Sequence, residues 1–170
     1  MTNAETLFRQ YRGKRLLLDT NLLLLFLIGT FDRNLIPRFK RTTAFSINDF
    51  ETLATLLSFF DSWITTPQLL TEVSSLANSL PDSMKPQWHL HLRVQTDSLL
   101  ELFVPSIELM QQQSFLAFGL ADSSICAAAP TALVLTEDFR LSGYLRNKAL
   151  PVMNFRDVLA LALGAGSGRR

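Results

Sequence analysis

Four acidic residues stand where a chain of this kind would do chemistry. Asp19 ends an apolar run directly, in Leu16-Leu17-Leu18-Asp19-Thr20-Asn21, and Asp138 follows another, in Leu133-Val134-Leu135-Thr136-Glu137-Asp138. Runs this short and this apolar read as strands buried on both faces, which sets both acids at the carboxyl edge of a sheet. Glu72 lies about a turn and a half into a helix that follows a further apolar run at 63–65, and Asp122 lies near the start of the helix after Gly119. Clustered carboxylates repel, and one takes up a proton unless a cation is bound. Oxygen-only ligands favour hard ions, so Mg²⁺ or Mn²⁺ is expected rather than zinc. Such an ion acidifies water and stabilises the charge that develops on phosphate oxygens during in-line displacement. Four acids with one or two ions make a site for cutting phosphodiesters. Taken singly, each acid is better explained as a helix cap or a surface group: Asp19 for a helix from Thr20, Asp138 for the helix after it. The combination around one edge is what points to chemistry.

The elements that must position these residues follow from the pattern. Strands are expected at 16–18, 63–65, 102–104, 131–135 and 152–154. Helices are expected at 6–12, 21–28 closed by Gly29, from an Asn48 or Asp49 cap to about Phe60, from the Thr66-Pro67 cap to about Asn78, 86–100, from Ser106 to Phe118, 120–129, 138–148 and 155–163. Short apolar strands alternating with helices imply a mostly parallel sheet of about five strands, covered on both faces. Ligands in such folds sit outside the carboxyl ends of the strands. Residues 1–163 form a single domain, in which 31–60 is an insertion or extended region. Residues 164–170, a Gly/Ser/Arg tail, are expected to be disordered.

Beyond the acids the signals are weaker. The basic groups Arg12, Lys14, Arg15 and Arg38, Lys40, Arg41 either contact phosphates or form ordinary solvated loops. Phe31, Phe39 and Phe45 fit core packing or a subunit contact better than base stacking. His89 and His91, two apart, do not share a helix face and make a poor metal pair. The lone cysteine, Cys126, lies in an apolar stretch and reads as a core residue.

Composition adds bounds. One cysteine cannot form an internal bridge, which suits a reducing cytoplasm. The uninterrupted apolar run at 22–28 is far short of the ~20 residues that span a bilayer, and no small-residue cleavage site follows it, so a soluble intracellular protein without a membrane partner is expected. Charged residues are 18% and hydrophobic residues 48%; a surface this short of charge suggests that a partner or a second copy covers part of it. The formal net charge of +1 neither demands nor excludes nucleic acid, because a local patch matters more than the sum.

The residues resemble a known family. Leu17-Leu18-Asp19-Thr20-Asn21 resembles the opening strand and DTN motif of PIN domains. Thr66-Pro67-Gln68-Leu69-Leu70-Thr71-Glu72-Val73 resembles their second motif, Gly119-Leu120-Ala121-Asp122-Ser123 the third, and Leu135-Thr136-Glu137-Asp138 the fourth, T-x-D after a strand. Four motifs in order, covering roughly 16–154, are a stronger signal than any one of them. The resemblance implies a PIN-like α/β/α sandwich and Mg²⁺- or Mn²⁺-dependent endoribonuclease activity on single-stranded or structured RNA. By residue match, Asp19, Glu72, Asp122 and Asp138 would hold the metal, Asn21 and Thr136 would orient the acids or the attacking water, and Glu137 competes with Asp138. Arg38, Lys40 and Arg41 are the RNA-binding candidates. Toxins of bacterial toxin–antitoxin pairs belong to this family, so a homodimer and an antitoxin protein are among the implied partners. A catalytically silent PIN fold that binds RNA or protein is the alternative. Haloacid-dehalogenase phosphatases, which also open on a strand and an aspartate, require a second aspartate two residues on, where this chain has Asn21.

Overall fold

A computed structural model describes residues 3–166. In chain order the elements are α1 (Asn3–Tyr11), β1 (Arg15–Leu18), α2 (Thr20–Asp32), α3 (Ile47–Leu57), β2 (Ser62–Thr65), α4 (Pro67–Ala77), α5 (Lys85–Thr96), β3 (Leu100–Glu101), α6 (Ser106–Met110), α7 (Gln113–Phe118), α8 (Leu120–Ala128), β4 (Leu133–Thr136), α9 (Phe139–Asn147), β5 (Val152–Asn154) and α10 (Phe155–Gly166). The expected tail lies outside the described residues from 167 onward, and α10 runs past Leu163 to Gly166.

All strand pairs are parallel, and the order across the sheet is β3-β2-β1-β4-β5. Alternation along the strands splits the core in two. Leu16, Leu18, Leu133, Leu135 and Met153 face one side, with Leu22, Leu24 and Leu25 of α2 and Leu53 of α3. Leu17, Ile64, Val134 and Val152 face the other, with Ile125 of α8 and Leu141 of α9. The fold is therefore the expected α/β/α sandwich, with a sheet that is wholly rather than mostly parallel.

Consecutive strands step outward from β1 through β2 to β3, and the chain then crosses to β4 and β5 on the other side of β1. The seam between β1 and β4 is thus the point where the winding reverses, and a crevice opens outside the carboxyl ends there.

Several helix boundaries differ from expectation for identifiable reasons. α2 does not stop at Gly29; that residue lies inside the helix and is buried against α3, where a Cβ would fall 2.3 Å from the Phe50 ring. The α3 cap is Ser46 rather than Asn48 or Asp49. Asp49 is the reciprocal partner, taking the Ser46 backbone N–H at 2.7 Å while its own N–H donates to Ser46 Oγ at 3.1 Å. The helix expected from Ser106 to Phe118 is two, because Leu109 and Ser114 are both buried, and residues five apart do not share a face of one straight helix. β3 lies two residues earlier than expected. Its residues are exposed, so no buried apolar run marks it, and Leu102 instead donates its N–H to the Thr65 carbonyl at 2.9 Å.

Phe39 and Phe45 are buried in the core and Phe31 packs edge-on to Trp88, with ring centroids 5.7 Å apart. His91 Nε2 lies 3.0 Å from Thr30 Oγ1 and 3.1 Å from the Leu27 carbonyl oxygen, pinning α5 to α2. Cys126 is only half-buried; burial first, and the Asp122 charge second, push its thiol up to about 11. Among the described residues, no helix is long and apolar enough to cross a membrane.

Candidate active site at the carboxyl edge

Asp19 follows the last residue of β1 and is buried. Its Oδ1 accepts the Leu22 N–H at 2.8 Å, so it caps α2. Its Oδ2 accepts the Thr136 hydroxyl at 2.5 Å and the Glu137 N–H at 3.0 Å, both from the end of β4. One carboxylate therefore caps its own helix and bridges the seam between β1 and β4. Burial pushes its pKa up to about 6 against the pull of these three donors.

Thr136 Oγ1 also accepts the Asp138 N–H at 2.9 Å. Asp138 Oδ1 in turn accepts the N–H groups of Arg140 and Leu141 at 2.6 and 3.1 Å and caps α9. Capping and membership of the acidic group are thus compatible, because a helix that starts where a strand ends places its cap at the sheet edge.

Glu72 projects from α4, and its Oε2 accepts the Thr20 hydroxyl at 2.5 Å. Thr20 had no assigned role in the sequence reading. Its position directly after Asp19 was the available signal, since the first residue of α2 faces the same crevice.

Asp122 sits in the first turn of α8. Gly119, at φ +85 and ψ −171, makes the corner that starts this helix, a conformation that is essentially glycine's own. Burial, then the charges of Asp19, Glu72 and Asp138 in that order, push the Asp122 carboxyl up to about 7. Among the described residues, no hydrogen bond to this carboxyl offsets the rise. Asp122 therefore lies within electrostatic reach of the other three sequence-predicted acids.

Glu137 is separately engaged. Asn21 Nδ2 donates to its Oε1 at 3.3 Å, and Arg156 Nη2 donates to its Oε2 at 3.1 Å. Asn21 thus holds Glu137, while Thr136 holds Asp19. The rule that located the aspartates also applied to β5, and reading it there would have found Asn154 and Arg156.

The donor set, oxygen only, suits a hard divalent cation. A half-buried carboxyl that faces three others and has no donor of its own also fits a ligand position. Among the described residues, no three acidic, histidine or cysteine side chains stand close enough to enclose an ion. Each of Asp19, Glu72 and Asp138 is held by the O–H or N–H donors named above.

A cleft of about 590 Å³ opens beside this edge, with Pro67, Gln68, Thr71, Glu72, Leu120 and Ala121 in its wall. The predicted basic residues lie elsewhere. Arg12, Lys14 and Arg15 are at the amino end of β1, Lys14 and Arg15 beside Asp61 and Ser62 and Arg12 over the Phe59 ring. Arg38, Lys40 and Arg41 lie beyond the carboxyl end of α2, a helix of 13 residues whose length of roughly 20 Å separates that end from Asp19 at its amino end. The structure sets the four acids and Thr136 at one sheet edge, ties Asn21 to Glu137 rather than to any of the four, and leaves both basic groups apart from them. No family model matches the chain, and no curated protein matches it in sequence.

Proposed function

We propose that the protein is a Mg²⁺- or Mn²⁺-dependent endoribonuclease of the PIN type, acting at Asp19, Glu72, Asp122 and Asp138. The observation that carries this reading is the gathering of acids at one sheet edge, where Thr136 bonds Asp19 and the Asp138 N–H and Thr20 bonds Glu72; burial, then the other three acids, push the Asp122 carboxyl there up to about 7. Charges held together in this way oppose folding unless a cation balances them. The place supports the reading too, because the acids gather at the winding reversal, where open parallel sheets take their ligands.

A bound divalent ion would supply Lewis acidity that activates water and stabilises negative charge on a phosphodiester. The chain's own residues do the rest. Thr136 bonds Asp19 Oδ2 and Thr20 bonds Glu72 Oε2, so both carboxylates are held in defined positions at this edge. Asn21 keeps Glu137 turned toward Arg156. The cleft beside Glu72 has room for a nucleotide-sized group. In hydrolysis the oxygen of water bonds to phosphorus, the bond to the leaving sugar oxygen breaks, and that oxygen takes up a proton.

The test is cleavage of a labelled single-stranded RNA with Mn²⁺, Mg²⁺ or EDTA, beside an Asp122→Asn variant. Asp122 is the better choice over Asp19, which also caps α2 and bridges two strands. Metal-dependent cutting that the variant loses supports the reading; cutting that survives the substitution sinks it. Binding under every metal without cutting would instead favour a silent RNA-binding module, an alternative supported by the use of Asp19 and Asp138 as helix caps.

A toxin acting as a homodimer and held by an antitoxin protein is the narrower form of the same proposal. The exposed apolar side chains Phe103, Ile107 and Leu116 support a covered face on this molecule. Sedimentation of the purified protein as a monomer would remove the homodimer.

A further inference from the structure

We propose that Arg156 binds a backbone phosphate of the RNA strand on which the acidic centre acts; this rests on the nuclease reading above. Arg156 is the second residue of α10, which follows β5 directly, and β5 pairs with β4 so that Asn154 stands opposite Thr136. The arginine is therefore at the same sheet edge as Asp19 and Asp138. Its backbone N–H donates to Asn154 Oδ1 at 2.9 Å, which fixes the start of the side chain. Among the described residues, its guanidinium is anchored by a single bond, from Nη2 to Glu137 Oε2 at 3.1 Å. Glu137 is in turn tied to Asn21, two residues from Asp19. The Arg156 side chain is 47% exposed against 16% for Glu137, so the anchor is half-buried and the arginine is the more open of the two to solvent.

A guanidinium carries five N–H groups in a planar fork that matches two phosphate oxygens. One bond to Glu137 holds the fork in place and leaves most of it unused. A polyanion approaching four carboxylates needs a cation nearby, and the other candidates are occupied or remote. Arg140 also starts a helix at this edge, but its guanidinium lies over the Phe118 ring at 5.5 Å and bonds the Ala117 carbonyl. Lys14 and Arg15 are at the opposite edge, and Arg38, Lys40 and Arg41 follow the far end of α2.

The test is fluorescence anisotropy of a short fluorescein-labelled oligouridylate in Ca²⁺, over a salt series. Arg156→Gln should weaken binding about tenfold and reduce the slope of log affinity against log salt by roughly 0.7. Arg156→Lys should keep the slope. Arg93→Gln, the same charge change on α5, should alter neither affinity nor slope. Removing Arg156 also leaves the Glu137 charge unpaired, so Glu137→Gln and the double variant Arg156→Gln/Glu137→Gln complete a cycle. A phosphate contact predicts that the double variant binds about tenfold more weakly than Glu137→Gln alone. Equal binding by those two, or wild-type affinity and slope in Arg156→Gln, overturns the proposal. Failure of the wild-type protein to bind the probe overturns the nuclease reading and this inference together.

Discussion

The Thr136 hydroxyl donates to Asp19 Oδ2 at 2.5 Å while its oxygen accepts the Asp138 N–H at 2.9 Å. One side chain at the end of β4 thereby holds two acids from two strands in a fixed relation. Thr136→Val keeps the shape and removes both bonds. It leaves a buried carboxylate and a backbone N–H short of a partner, so we expect a loss of roughly 1–3 kcal/mol in stability. RNA cleavage should fall by more than the folded fraction does. Urea unfolding beside a cleavage assay checks both, and a stability matching wild type would show that the bond is dispensable.

The acidic group sets a pH dependence. Burial holds Asp19 near 6, and burial with three neighbouring acids holds Asp122 near 7, against an ordinary value of 3.8 for each. From about pH 4 to about pH 7 the folded chain therefore binds more protons than the unfolded one, and this contribution to stability declines as pH rises, then levels off. In EDTA, Tm should fall across that window, and Asp122→Asn should reduce the fall. Mg²⁺ or Mn²⁺ should raise Tm most near the top of the window, where the acids are ionised. A Tm in EDTA that climbs steadily from pH 4 to 7 would contradict the assignment.

Gly29 tests packing apart from chemistry. Helix propensity alone favours Gly29→Ala by about 1 kcal/mol, yet the added methyl would meet the Phe50 ring. Overpacking of this kind costs about 1–3 kcal/mol, so we expect net destabilisation, relieved in the Gly29→Ala/Phe50→Leu double variant. Metal-dependent cleavage per folded molecule should stay at the wild-type level. Thermal unfolding of the two variants beside wild type decides it; a more stable Gly29→Ala would mean that α3 yields easily.

Gly119 behaves differently. Among the described residues other than its chain neighbours, no atom lies within 4 Å of a Cβ there, so space is not the obstacle; its φ of +85 is. Gly119→Ala should cost roughly 1–3 kcal/mol in backbone strain. It should also shift the start of α8, and Asp122 with it, so cleavage should drop even where the protein remains folded. Circular dichroism with a cleavage assay separates the two effects, and unimpaired cleavage by the folded variant would detach Asp122 from the site.

Much of this site was legible because it depends on chain order. An apolar run followed by an acid, twice, marks a strand end and a helix start whatever the rest of the chain does. Thr66-Pro67 marks α4 by capping chemistry alone, and Glu72 follows from its helical spacing. Other features depend on partners distant in sequence. Gly29 looks like a helix end until Phe50 is seen against it. β3 is an exposed edge strand, so its position is set by Thr65 rather than by its own residues. The bases at 38–41 look well placed for RNA until the length of α2 carries them away from Asp19. Arg156 was legible in principle, since it follows a strand that had been recognised.

The parallel sheet has one more consequence. Because every strand points the same way, the helices that directly follow β1, β2, β4 and β5 all begin at the acidic edge. Each directs the positive end of its backbone dipole, equivalent to roughly half a charge, toward that edge. The carboxylates there are thus partly balanced by peptide groups, which no side-chain substitution removes. The same four helix ends favour an incoming phosphate, so this edge is suited to cations and anions at once.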